Sequence, residues 1–149
     1  MGLVVVAVVL LAGCWADPSP STPVPATIEP AKPRVHHTTW MGHYSCAQGV
    51  TAVKLVLDIR PTGETTGVFE FSAAPENPGV PSGSYHLRGV TTATKNGVVT
   101  VDVEGDSWID QPKGYIMVGL RATSDPTRRH LSGQITNESC GDIEVERRD

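Results

Sequence analysis

Aromatic side chains are scarce in this chain. Three Trp, three Tyr and two Phe make up 5% of its 149 residues, so a core would absorb most of them before any is left for a surface. Basic residues are not in excess either. A net charge of −4 and a pI near 5.7 exclude the basic face that a nucleic-acid partner requires. Arg128-Arg129-His130 is the one basic cluster, and it reads as a solvated turn. There is no C-x-x-C pair, no G-x-S-x-G elbow and no glycine-rich phosphate loop. Those absences remove the usual zinc, serine-hydrolase and nucleotide readings. No segment carries a convincing helical period, and only three cysteines are present.

One long apolar run is present, at residues 3–12 (LVVVAVVLLA). It is about half the roughly 20 residues of a spanning helix and has the length of the apolar region of a secretory signal. Leu11-Ala12-Gly13-Cys14 follows at once and resembles a bacterial lipobox. The resemblance implies cleavage before Cys14 and attachment of a diacylglyceryl group to its thiol. It makes residues 1–13 a signal peptide and places the mature chain on the extracytoplasmic side of a membrane. Several acyl chains on one residue give a stable anchor at ~0.8 kcal/mol per buried methylene. The Lys or Arg that usually opens such a signal is missing; the chain begins Met1-Gly2. Val6 stands where a myristoylation motif needs Ser or Thr.

With Cys14 taken by lipid, Cys46 and Cys140 remain. An exported chain with two spare thiols is expected to join them in a disulfide. The chain-entropy model gives ~4.6 kcal/mol for closing a loop of about 95 residues.

Residues 15–35 hold six of the twelve prolines, with Ser and Thr between them. Such a segment buries too little to order itself, and proline keeps it extended. At ~3.1 Å per residue it spans on the order of 60 Å, which suits a tether. The expected organisation is a signal at 1–13, an acylated cysteine and linker at 14–37, and a folded domain at 38–149.

In the folded part apolar and polar residues alternate in short runs between turn signals. Val53, Leu55, Leu57 and Ile59 share one face, as do Phe69 with Phe71, and Tyr85 with Leu87. Val99, Val101 and Val103 follow the Asn96-Gly97 hairpin signal. Further runs place Ile116, Val118 and Leu120 together, then Leu131 with Ile135, and Ile143 with Val145. Seven or eight antiparallel strands with one dry face predict a small all-β sandwich or open barrel. The expected bridge requires the first strand, Trp40 to Cys46, to lie near the last. Cys140 has the wrong parity for Ile143 and Val145. It therefore either precedes the last strand or follows a bulge at Gly141.

The run from Trp40 to Thr51 (WMGHYSCAQGVT), with later FEF, PSGSY, WIDQPKGYIMV and LSGQI, resembles a small bacterial extracytoplasmic β-domain that carries no known activity. Tyr44-Ser45-Cys46 and Ser82-Gly83-Ser84-Tyr85 also resemble parts of membrane-bound C-type lysozyme inhibitors. Their Y-x-C and exposed S-G-x-x-Y motifs match in part. Here the tyrosine arrives one residue early, and Trp108 is separated from Lys113-Gly114.

The remaining candidates for chemistry are thin. His36, His37 and His43 offer three imidazoles, but the first two sit at the linker edge. Asp102, Glu104 and Asp106 share a strand face, yet Ser107 and Lys113 occupy the positions where a calcium loop needs Gly and Glu. No pair of carboxylates is singled out for glycoside hydrolysis. Trp40, Trp108 and Tyr115 are the aromatics that could stack on a sugar or anchor a partner.

The expectation is a non-enzymatic, lipid-anchored envelope protein without metal or cofactor. Its β-domain is a surface binding or structural module for an envelope protein, a secreted protein or a glycan. The candidate contact residues are Ser82, Gly83, Ser84, Tyr85 and Trp108. The alternative is an inhibitor of lysozyme or another hydrolase that presents the Pro81–Tyr85 loop.

Overall fold

The structure, a computed structural model, describes residues 31–149. The expected signal peptide at 1–13, Cys14 and the linker up to residue 30 lie outside the described residues. Eight strands follow one another: β1 (His36–Cys46), β2 (Gly49–Ile59), β3 (Glu64–Ala73), β4 (Gly83–Ala93), β5 (Val99–Asp110), β6 (Leu120–Ser124), β7 (His130–Ile135) and β8 (Asp142–Arg147). Each pairs antiparallel with the next, and β8 pairs back onto β1, so the sheet closes into an up-and-down barrel. The β1–β8 ladder runs from Trp40 opposite Arg147 to Tyr44 opposite Ile143. Closure leaves no free edge, where the sequence pattern had left a sandwich or an open barrel as the alternatives.

The alternation drives this arrangement. Val53, Leu55 and Leu57 of β2, Phe69 and Phe71 of β3, and Leu87 of β4 all point inward and are buried. Val101, Val103, Leu120, Leu131, Ile143 and Val145 complete the lining from the far side. Each such side chain contributes about 1.5–3 kcal/mol on leaving water.

Three expectations are corrected. β1 starts at His36, not Trp40, and the compact unit begins at Lys32, so His36 and His37 belong to the barrel rather than to the linker. They pair with Ile59 and Asp58, and His37 Nδ1 lies 2.7 Å from Asp58 Oδ1. Residues 115–119 are not strand; β6 begins only at Leu120, and Ile116 is 66% exposed. Pro112, which lacks an N–H, and Gly114, at φ 83°, keep this stretch out of the ladder. Ser107 and Asp110-Gln111-Pro112 read as a loop around Trp108, but Trp108 lies in β5.

Cys46 ends β1, and Cys140 sits just before β8, joined to it in a disulfide. Of the two arrangements left open, the cysteine before the strand is the one found. The bridge clamps one end of the β1–β8 seam, and Gly141 N–H donates to the Ser45 carbonyl beside it at 2.8 Å.

The barrel has two different ends. Residues 31–35 and the turns at 60–63, 94–98 and 125–129 form one, with Arg128 and Arg129 exposed in the last turn. The β1–β2 turn at Ala47-Gln48 and the loops at 74–82, 111–119 and 136–141 form the other. The chain thus joins the barrel at the end opposite its disulfide.

Candidate functional site at the barrel mouth

At the disulfide end, the loops surround a cavity of about 290 Å³. Its floor is made by the inward side chains of Tyr44 and Tyr85, 3% and 1% exposed, with Phe71 and Val118. Its rim is Ala47, Gln48, Tyr115, Ile116, Asn137, Ser139 and the Cys46–Cys140 bridge. None of the thirteen lining residues is charged. A barrel mouth is a common place for a small-molecule site, and this one lies near the lower bound of the roughly 300–1,000 Å³ such sites occupy.

The rings of the floor pack on one another. Phe69 stacks on Tyr85 at 4.9 Å between centroids, and Tyr44 meets Phe69 edge-on at 5.3 Å. Tyr115 stacks on Phe71 at 5.4 Å, tilted by only 14°. Tyr115 is held there by a turn: its N–H donates to the Pro112 carbonyl, and its own carbonyl accepts from Gln111 Nε2. The long loop at 74–82 pins the opposite rim, because Asn77 Nδ2 donates to the carbonyls of Gln48 and Val50 at 2.6 and 3.1 Å.

The polar groups of the floor are committed to one another. Tyr85 Oη donates to the Val118 carbonyl and accepts from the Val118 N–H. Gln48 Nε2 donates to Tyr44 Oη at 3.3 Å and to Thr51 Oγ1 at 3.2 Å, and Thr51 Oγ1 donates to the Gly49 carbonyl. Burial pushes the Tyr44 phenol up to about 12; hydrogen bonding with Thr51 and Gln48 only partly offsets this, and Tyr115 adds to it. Burial also raises Tyr85 far above the ordinary tyrosine value. Both phenols therefore stay neutral. At the rim, Asn137 Oδ1 accepts from the Ser139 N–H, and Ser139 is exposed.

The sequence-derived contact residues do not form one patch. Tyr85 is a floor residue of the mouth, not part of an exposed loop. Gly83 already belongs to β4, which fixes Tyr85 inward two residues later. Gly83 is itself buried: a Cβ there would come within 2.5 Å of the Phe71 ring and 2.7 Å of Pro112. Trp108 packs behind the floor, 5.2 Å from Tyr85 and 6.5 Å from Phe71 between centroids. Register shifts opposite β4 turn it inward against the simple alternation from Val103.

Ser82 and Ser84 line a different hollow, of about 440 Å³, on the outer wall beside Met41, Lys54, Glu70 and Asp110. That hollow is larger but is open strand surface, and its Lys54–Glu70 pair is already joined at 2.9 Å. The mouth, with its buried aromatic floor, is the better candidate.

The acidic face of β5 is engaged by neighbours. Asp102 pairs with Arg121 at 2.8 Å and Asp106 with Arg88 at 3.4 Å, while Glu104 accepts from Thr136 Oγ1. His43 faces outward opposite Ala52 and Glu144, away from the His37–Asp58 pair. Trp40 is buried toward the other end, with its Nε1 donating to Thr38 Oγ1 and the Arg147 guanidinium 5.9 Å from its ring centroid.

Sequence reasoning missed Gln48, Asn137 and Ser139. The signal was present: Gln48 follows Cys46 closely and Asn137 and Ser139 precede Cys140, so the expected bridge already joined the two loops that carry them. The fold and mouth together define a class, a closed eight-stranded antiparallel barrel with an uncharged aromatic mouth. No protein-family model matches the chain, and no curated protein matches it.

Proposed function

We propose that this protein is a lipid-anchored binding module of the cell envelope. In this reading the signal at 1–13 is removed, Cys14 carries the acyl chains, and the proline-rich segment links the membrane to the barrel. The barrel mouth captures a small ligand, and no covalent step is involved. The observation that carries the binding part is the aromatic-floored mouth. Its polar groups are paired with one another rather than converging on a reacting atom, which favours binding over catalysis. The position of the mouth adds support: residues 31–35 enter β1 at the opposite end of the barrel.

Fractionation of a bacterial host tests the anchor. The wild-type protein is expected in the membrane fraction, released only by detergent, and Cys14→Ser in the soluble fraction. Wild-type protein recovered free of membranes overturns the anchoring.

A further inference from the structure

We propose that the mouth takes a neutral, largely apolar ring compound whose few polar atoms remain at the rim, rather than a sugar or an anion. The inference rests on the mouth being a binding site and names its ligand chemistry. Size sets the first limit, since about 290 Å³ admits one or two fused rings but not an oligomer.

Charge sets the second limit. An anion entering the cavity leaves water for a wall of Tyr44, Phe71, Tyr85, Tyr115, Ile116 and Val118, where it meets electron-rich ring faces and no counter-charge. Hydrogen-bonding capacity sets the third limit and separates a ring compound from a sugar. A pyranose carries several hydroxyls, and each one buried without a partner weakens binding about tenfold or more. On the floor, Tyr85 Oη already makes two hydrogen bonds to Val118. Both Gln48 amide hydrogens are directed to Tyr44 and Thr51. The remaining hydrogen-bonding capacity is small: the Tyr44 hydroxyl hydrogen on the floor and, at the rim, groups such as Tyr115 Oη, Asn137 Nδ2 and Ser139 Oγ. A ligand that is apolar where it meets the rings and polar at one edge fits that distribution. Ile116, 66% exposed beside the opening, adds apolar surface for the part that projects.

The test titrates the full-length chain carrying Cys14→Ser, isotope-labelled, with three probes: 1-naphthol, 1-naphthoate and methyl glucoside. The first two share a size and differ in charge; the third is a neutral polyol. The expected result is movement of the Gln48, Tyr115, Ile116 and Val118 amide signals with 1-naphthol, at a dissociation constant on the order of 1 mM or tighter. Naphthoate is expected to bind at least about tenfold more weakly, and the glucoside not at all. Ala47→Trp, on the exposed turn at the rim, is expected to block the naphthol response, with Ser139→Trp as the second blocking variant. If naphthoate or the glucoside binds the mouth as well as naphthol does, the ligand class is wrong and the mouth remains a site. If no probe moves the mouth signals, or neither blocking variant abolishes the response, both the ligand class and the mouth as a site are overturned.

Discussion

Tyr85 and Val118 are joined by two hydrogen bonds through one oxygen. The phenol donates to the Val118 carbonyl at 3.0 Å and accepts from the Val118 N–H at 3.3 Å. A single buried side chain of β4 thereby satisfies both backbone groups of a residue that has no ladder partner. It also holds the non-strand stretch 115–119 against the barrel. Tyr85→Phe keeps the ring stack on Phe69 but leaves the two Val118 groups unpaired. The expected loss is about 1–3 kcal/mol in urea unfolding, with faster amide exchange at Val118. An unchanged exchange rate would mean that the loop is held by other contacts.

The Cys46–Cys140 bridge closes a loop of 94 residues in sequence and clamps the barrel seam beside the mouth. Replacing both cysteines by serine is expected to lower stability by about 2–5 kcal/mol. A reductant should lower the melting temperature of the wild type and leave the double variant unaffected. Equal melting of oxidised and reduced wild type would remove the bridge from the account.

Alkali should unfold this barrel through its buried phenols. Tyr44 is pushed from 10.0 to about 12, and Tyr85 is raised in the same direction. Below pH 10 both states keep these protons and the contribution to stability is complete. Above it the unfolded chain releases protons that the folded chain retains, so stability falls as pH rises from 10 through 12. The expected slope is about 1.4 kcal/mol per pH unit for each phenol. Urea unfolding with tyrosinate absorbance measures it, and Tyr44 and Tyr85 both titrating at the ordinary value would contradict it.

Much of the barrel was legible because its alternation is clean. Val53-Leu55-Leu57 and Ile143-Val145 face inward as their spacing implies, and the proximity of first and last strands followed from two spare cysteines. What failed did so where the period breaks. Register shifts in β5 turn Trp108 inward, and Pro112 with Gly114 takes Ile116 out of the sheet. The S-G-S-Y run reads as an exposed loop through its resemblance to the inhibitor motif, although alternation already sets Tyr85 on one face with Leu87. Here Gly83 is small because Phe71 and Pro112 crowd it, and Tyr85 is core. The mouth was harder still, since its rim comes from loops that carry no periodic signal.

The acidic row on β5 should not bind calcium. Arg121 and Arg88 already face Asp102 and Asp106. These are exposed pairs, worth under about 1 kcal/mol each. Arg121→Ala is therefore expected to change stability by less than that, and added calcium to leave the melting temperature of the wild type unchanged. A calcium-dependent rise would identify a cation site on this face.

The most direct measurement is the intact mass of the protein recovered from its native cells. The account predicts a chain that starts at Cys14, heavier by its acyl groups and lighter by the two thiol hydrogens of Cys46 and Cys140. A mass equal to the whole 149-residue chain, unacylated and with every thiol free, would contradict it.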